Sequence, residues 1–291
     1  MTASAVKKQT HSEIPDKILE KVSAFPSMPK AGVKLQALLR EEDVSIDKIE
    51  KILRHDPGLA ANVLRLTNSA FFGLPSKVSD LKHAVTLLGI KRFAKIAVGA
   101  CMQKTMDAAV EGYGLSPGQL WLHSIGVSSI AEALAKNRKL PESGDFFTPA
   151  LLHDLGKLVL AKFLKTEKSR IDSLIADGVP IVIAEKEILK TDHAEIGALI
   201  LAKWSFPEDI IHAVRWHHYP EGSENSNLHA EIVYLANLMC QSKNGSEFEA
   251  EHNMPYASVL EKLGMQPEQY QALAEKARVW MAKMSDTLTF S

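Results

Sequence analysis

PALLHDLGKLVL, running from Pro149 to Leu160, decides how this chain is read. Its apolar residues are helix formers, Pro149 suits a first helical turn, and no strand-like alternation interrupts it. The stretch predicts one strongly apolar helix with His153 and Asp154 in its middle. Two titratable side chains on a buried face need partners, and a metal ion is an efficient one. Neighbouring residues of a helix point about 100° apart, so both reach one ion only if it lies beside a helix end, near Gly156. Lys157 follows Asp154 by three residues and His153 by four, which places it on the same helical face.

Helical periodicity extends through most of the chain, and strand signals are scarce. Pro26 and Pro29 force a break between helices near Phe25–Pro29. Ser45 or Asp43 is expected to cap the next helix, and His55-Asp56-Pro57 reads as the start of a third, ending at the Asn68–Pro75 turn. Apolar segments follow at His83–Gly89 and Lys91–Ala100. Further helices are expected after Trp121, at Pro180–Lys190, His193–Trp204, Pro207–His218 and Glu231–Cys240, and two more between Tyr256 and Met284. The fold class is all-α: a two-lobed helical protein, with an N-terminal lobe over 14–114, a second lobe carrying the candidate site over 115–242, and a helical extension over 243–291. Gly112, Gly114 and Pro117 mark the boundary between lobes, and Ser242–Asn253 reads as a solvated loop.

Composition narrows the function classes. A 291-residue chain that is 46% hydrophobic and 24% charged can bury a real core. A net charge of −1 leaves no electrostatic footprint for nucleic acid or an acidic membrane. No apolar run reaches the length of a membrane span, and the opening MTASAVKKQTHSE lacks the apolar stretch of a secretory signal. Two cysteines, Cys101 and Cys240, provide no disulfide framework. The expected place is the cytoplasm.

A His-Asp dipeptide is weak on its own. With 11 His and 13 Asp in 291 residues, roughly half a pair is expected by chance, and His55-Asp56 is a second instance. The wider set gives the first pair its weight: His123, His153-Asp154, His193, His217-His218 and Asn237 follow in order on separate segments. Imidazoles and a carboxylate converging from different helices are what a water-activating first-row metal needs. Each position also has a structural reading. His123 suits a satisfied core histidine. Thr191-Asp192 before His193 looks like a helix cap, with Asp192 a partner for the ring. One of His217 and His218 can ligate while the other hydrogen-bonds.

This ordering resembles the HD phosphohydrolase superfamily. The first lobe is more specific: Pro26–Pro29, His55-Asp56-Pro57, Leu64-Arg65-Leu66-Thr67-Asn68-Ser69-Ala70-Phe71 and Ala84–Gly89 resemble the HDOD domain, the HD-related output domain of bacterial signalling proteins. His193–Ala198, Trp204, Pro207 and the His217-His218 pair fit the same family. The resemblance implies a regulatory module in which ligands are often lost, yet this chain retains more of them than expected of an HDOD member. It implies that His123, His153 and Asp154 match the ligands of a first metal, and that His193, His217 and His218 match those leading to a second. Asp154 would bridge and orient water, and Lys157 would meet a phosphate oxygen. Asn237 stands where the superfamily has its last Asp, and the Gly-Tyr-Pro signature of cyclic dinucleotide phosphodiesterases is replaced by Tyr219-Pro220-Glu221-Gly222.

Two functions follow as expectations. The first is a signalling module that binds a divalent transition metal (Fe, Ni, Zn or Mn by ligand type), a phosphorylated small molecule and a protein partner. The second is an active metal-dependent phosphohydrolase on a nucleotide or other phosphoester, with Asp154 and Lys157 as its catalytic residues. An amide at Asn237 brings no charge to the site and weighs against the second. A scaffold without metal is a third reading, against which stands the number of retained imidazoles.

Overall fold

The computed structural model describes residues 14–41, 44–69, 74, 77–140, 143–222, 227–241 and 254–288. Among them no strand occurs, and one isolated bridge joins Val110 to Leu115. The fold is all-α. Asp43, most of the Asn68–Pro75 turn and the Ser242–Asn253 segment lie outside the described residues.

Helix α1 (Asp16–Ala24) ends before Pro26, and α2 (Lys30–Leu38) starts directly after Pro29, as two prolines require. The Ser45 side chain caps α3 (Ile46–Leu53) by accepting from the backbone N–H of Lys48. Asp56 caps α4 (Pro57–Thr67) in the same way through Leu59, with Pro57 in the first turn. After α4 the Asn68 amide clamps Val78, giving to its carbonyl and accepting from its N–H, both at 2.7 Å. Helices α5 (Leu81–Leu88) and α6 (Ile90–Ala100) are separated by Gly89 alone, whose φ of 78° suits glycine. The short α7 (Gln103–Met106) and a 3₁₀ turn at Glu111–Tyr113 lead into the site-bearing helices.

These are α8 (Gln119–Asn137), α9 (Phe147–Leu152), α10 (Lys157–Thr166), α11 (Lys168–Ala176), α12 (Ile181–Leu189), α13 (His193–Lys203), α14 (Glu208–Trp216) and α15 (Leu228–Gln241). They are followed by α16 (Met254–Lys262) and α17 (Pro267–Leu288). One hydrophobic cluster runs from Ile14 to Val214; a second joins α8 and α15 to the last two helices. The C-terminal end of α13 ties to the chain's beginning. Lys203 donates to the carbonyls of Ser23 and Phe25 at 2.6 and 2.9 Å, and Trp204 Nε1 donates to that of Pro26 at 3.2 Å.

The predicted helix over Pro149–Leu160 is instead two helices. α9 stops at Leu152, residues 153–156 form a turn, and α10 begins at Lys157. Local propensity favours continuity, but tertiary contact overrides it. An added Cβ on Gly156 would lie 2.0 Å from the His193 carbonyl oxygen and 2.7 Å from the Gly197 nitrogen. The turn therefore presses backbone-to-backbone on α13, and only glycine fits there. Leu151, Leu152, Leu155 and Leu160 around it are fully buried, each contributing about 1.5–3 kcal/mol.

Candidate metal centre

Five helices deliver the polar cluster. His123 is in the first turns of α8, His153 ends α9, and Asp154 sits in the turn behind it. His193 opens α13, His217 ends α14 with His218 next to it, and Asn237 lies on α15. His153, Asp154, His193 and His217 have no solvent exposure. The edge of the cluster is reached through His123, whose side chain is 22% exposed, and Lys157, 12% exposed.

Asp154 is the hub. Its Oδ2 lies 3.3 Å from His153 Nε2 and 3.5 Å from His123 Nε2, and accepts a hydrogen bond from Lys157 Nζ at 2.7 Å. Its Oδ1 lies 3.2 Å from His193 Nε2 and 4.0 Å from His217 Nε2. His218 Nε2 is 2.9 Å from His193 Nε2. Two three-residue groups thus have donor atoms within 4.8 Å of one another: His123 with His153 and Asp154, and His193 with His217 and His218.

The other ring nitrogens fix the tautomers. His153 Nδ1 lies 2.7 Å from the Ala150 carbonyl, and His217 Nδ1 lies 2.7 Å from that of Val214. A carbonyl only accepts, so each Nδ1 carries a proton, and whenever the ring is neutral its Nε2 lone pair turns inward. His193 Nδ1 is held by the Glu185 carboxylate at 2.8 and 2.9 Å. Lone pairs converging on a carboxylate repel unless a cation sits among them. Consistent with this, Nε2 of His123, His153 and His217 and Oδ1 of Asp154 are buried without a hydrogen-bond partner. Orphaned donor atoms of these types, oriented through their far nitrogens, fit a transition-metal ion.

Electrostatics separate the rings. Burial, reinforced by the charges of His153 and Lys157 against the pull of Asp154, lowers His123 to about 3. Burial and neighbouring histidines hold His217 and His218 well below the usual imidazole range. Burial would lower His193 too, but Glu185 and Asp154 raise it to about 9. For Asp154 burial would raise the pKa, yet His153 and Lys157 hold its carboxyl well below the usual range. The carboxylate stays ionised, and a proton on His193 competes with a metal for the same space.

Every residue of the predicted set lies in or against this cluster. Asn237 is buried and hydrogen-bonded to His123. Lys157 reaches Asp154 from the first turn of a new helix, not along a shared one. His212 is apart, against Asn227 at 3.0 Å. Asp192 is not the partner of the His193 ring: it caps α13 through Glu195 N–H at 2.7 Å and pairs with Lys186 at 2.9 Å.

The ring's partner is Glu185, which sequence reasoning missed. Its fully buried carboxylate also accepts from the His193 backbone N–H at 2.8 Å and from Tyr113 Oη at 2.7 Å. Burial and the Glu185 charge push Tyr113 well above its usual pKa, so its hydroxyl remains a donor. The signal was present in the sequence. In α12 the buried positions are Val182, Ala184, Glu185 and Leu189, a carboxylate inside an apolar stripe. Tyr113 carried no such signal, because its role depends on where the 3₁₀ turn docks against α10.

Comparison with known proteins adds a family and a fold. The HDOD domain model matches residues 25–220. An uncharacterised protein of Treponema pallidum (strain Nichols) is 25% identical over 235 residues, 78% of this chain; the match spans only 44% of that longer protein. A crystal structure named as a candidate phosphohydrolase of Shewanella amazonensis SB2B is 26% identical with a TM-score of 0.74, covering 94% of this chain and 98% of that one. An HDOD domain protein of unknown function from Geobacter sulfurreducens has the same TM-score at 22% identity, covering 94% and 99%.

Proposed function

The chain belongs to the HDOD family, and from that premise we propose that it is a regulatory module holding a divalent first-row metal. The observation that carries this reading is the convergence on Asp154 of buried, unpartnered Nε2 atoms, those of His123 and His153 at its Oδ2 and that of His217 at its unpartnered Oδ1. Two ligand groups meeting at Asp154 would be available to a metal, His123 with His153 and His193 with His217 and His218, with Asn237 oriented on His123. When bound, such an ion polarises a coordinated oxygen and attracts a phosphate. Imidazole with one carboxylate suits Fe, Ni, Zn or Mn better than Mg.

The chain's own residues define what such a module reads. Lys157 stands at the edge of the cluster, its side chain 12% exposed and its ammonium 5.5 Å from the Tyr113 ring centroid. A phosphorylated small molecule entering there would meet Lys157. A signalling protein is the partner in this reading, and the cytoplasm is its place; Cys101 and Cys240 are both free thiols. No helix among the described residues is long and apolar enough to cross a membrane.

The second reading, a metal-dependent phosphohydrolase, is favoured by the Shewanella amazonensis relative's name and by the Lys157–Asp154 pair. Against it, Asn237 supplies no charge to position water at His123. Metal-loaded protein assayed on a panel of nucleotides, phosphomonoesters and phosphodiesters separates the two. The regulatory reading expects no turnover in the wild type and a gain in Asn237→Asp; steady wild-type turnover would sink it in favour of the hydrolase.

A further inference from the structure

The two oxygens of Asp154 are not equivalent, and the difference concerns how many ions the site takes. Oδ2, the oxygen shared by His123 and His153, already accepts a hydrogen bond from Lys157 Nζ at 2.7 Å. Oδ1, the oxygen facing His193 and His217, has no hydrogen-bond partner. We infer that Lys157 is the resident cation of the His123–His153 side, so that the site takes one divalent ion, on the side of Asp154 Oδ1, His193, His217 and His218. This inference rests on the metal-binding reading above and refines it.

Three observations carry it. First, metal–oxygen bonds of about 2.0–2.2 Å would leave an ion on Oδ2 and the Lys157 ammonium less than about 5 Å apart, with one carboxylate oxygen between them. Like charges at that separation in a buried site repel strongly. Second, Lys157 is anchored: it opens α10, is mostly buried, and stacks its charge toward Tyr113 while holding Asp154.

Third, anionic support is confined to the other side. Behind His193 stands the fully buried Glu185 carboxylate at 2.8 Å. Among the described residues, the group behind His153 is the Ala150 carbonyl, and the one hydrogen-bonded to His123 is the neutral Asn237 amide. Two divalent ions plus the ammonium would face two carboxylates. One ion plus the ammonium brings the charges much closer to balance. The arrangement is a mixed pair, one metal and one ammonium, straddling Asp154.

The test is the stoichiometry of Co²⁺ binding by equilibrium dialysis with elemental analysis, on metal-stripped full-length wild type, Lys157→Met and Lys157→Met/His123→Ala, with helical content checked by circular dichroism. Lys157→Gln serves as a second neutral variant should Lys157→Met misfold. The inference expects one equivalent in the wild type, two in the neutral variant, and a return to one when His123 is also removed. Two equivalents in the wild type, or one in both the wild type and the neutral variant, would overturn it while leaving the metal site standing. No Co²⁺ bound by any of the proteins would overturn the metal-binding reading itself.

Discussion

His193 Nδ1 and Glu185 Oε2 lie 2.8 Å apart with both side chains fully buried. A carboxylate this deep is tolerated because every contact it makes is a donor: the ring N–H, the His193 backbone N–H and the Tyr113 hydroxyl. The pair connects α12, α13 and the 3₁₀ turn at Glu111–Tyr113 in one network, and it aims His193 Nε2 at Asp154.

Replacing Glu185 by Gln keeps the shape and removes the charge. Partners of this kind raise ligand basicity and fix ring orientation, so metal affinity is expected to fall about 10- to 100-fold. A chelator-competition titration with Zn²⁺ measures it; an unchanged constant would show that Glu185 serves the fold alone.

The buried histidines set the acid limit of the metal-free protein. His123, lowered to about 3, and His217 and His218, held well below the usual imidazole range, are neutral when folded but take up protons near pH 6.5 when unfolded. Their contribution is present above pH 6.5 and is lost as pH falls below it. His193, raised to about 9, has the opposite sign: its contribution is complete below pH 6.5 and fades as pH rises through 9. By pH 5 the unfolded chain therefore holds about three more protons than the native one, a slope approaching about 4 kcal/mol per pH unit. Urea midpoints should fall steeply over that range. A midpoint that stays level from pH 7 to 5 would contradict the assignment of neutral rings.

Gly156→Ala places a methyl group against the backbone of α13, at 2.0 Å from the His193 oxygen. Backbone on both sides cannot yield as a side-chain tip can. A loss of at least about 3 kcal/mol is expected, read as a large drop in thermal midpoint. A wild-type midpoint would mean that the turn at 153–156 is free to shift.

Asn237→Asp adds a carboxylate beside His123 without changing volume. Acting across Asp154 on the ion at Oδ1, that buried charge should raise affinity for a divalent ion at least tenfold, equivalent to about 1.4 kcal/mol, measured by the same competition titration. Equal affinity would show that position 237 does not feel the ion.

Much of the fold was legible in the sequence, for identifiable reasons. Pro26 and Pro29, Asp56-Pro57 and Thr191-Asp192 are backbone signals whose chemistry is local, and helices begin or end at each. The residues of the cluster were legible because buried imidazoles in apolar helices stand out by type. What was hidden depended on tertiary approach. Within Leu151–Leu160 only Gly156 hints at a break at 153–156, and a lone glycine in an apolar run is too weak a signal, since the turn exists to lie on α13. Asp192 is adjacent to His193 in sequence, whereas the ring's actual partner, Glu185, lies eight residues upstream and one helix away.

Metal content is decisive for this protein: untagged wild type purified without chelators is assayed beside Asp154→Asn, which keeps the volume and removes the shared charge. About one equivalent of a first-row transition metal per chain is expected in the wild type, and its loss in the variant. Wild-type protein that carries no metal, and binds none when Fe²⁺, Ni²⁺, Zn²⁺ or Mn²⁺ is supplied, would contradict the metal-binding reading.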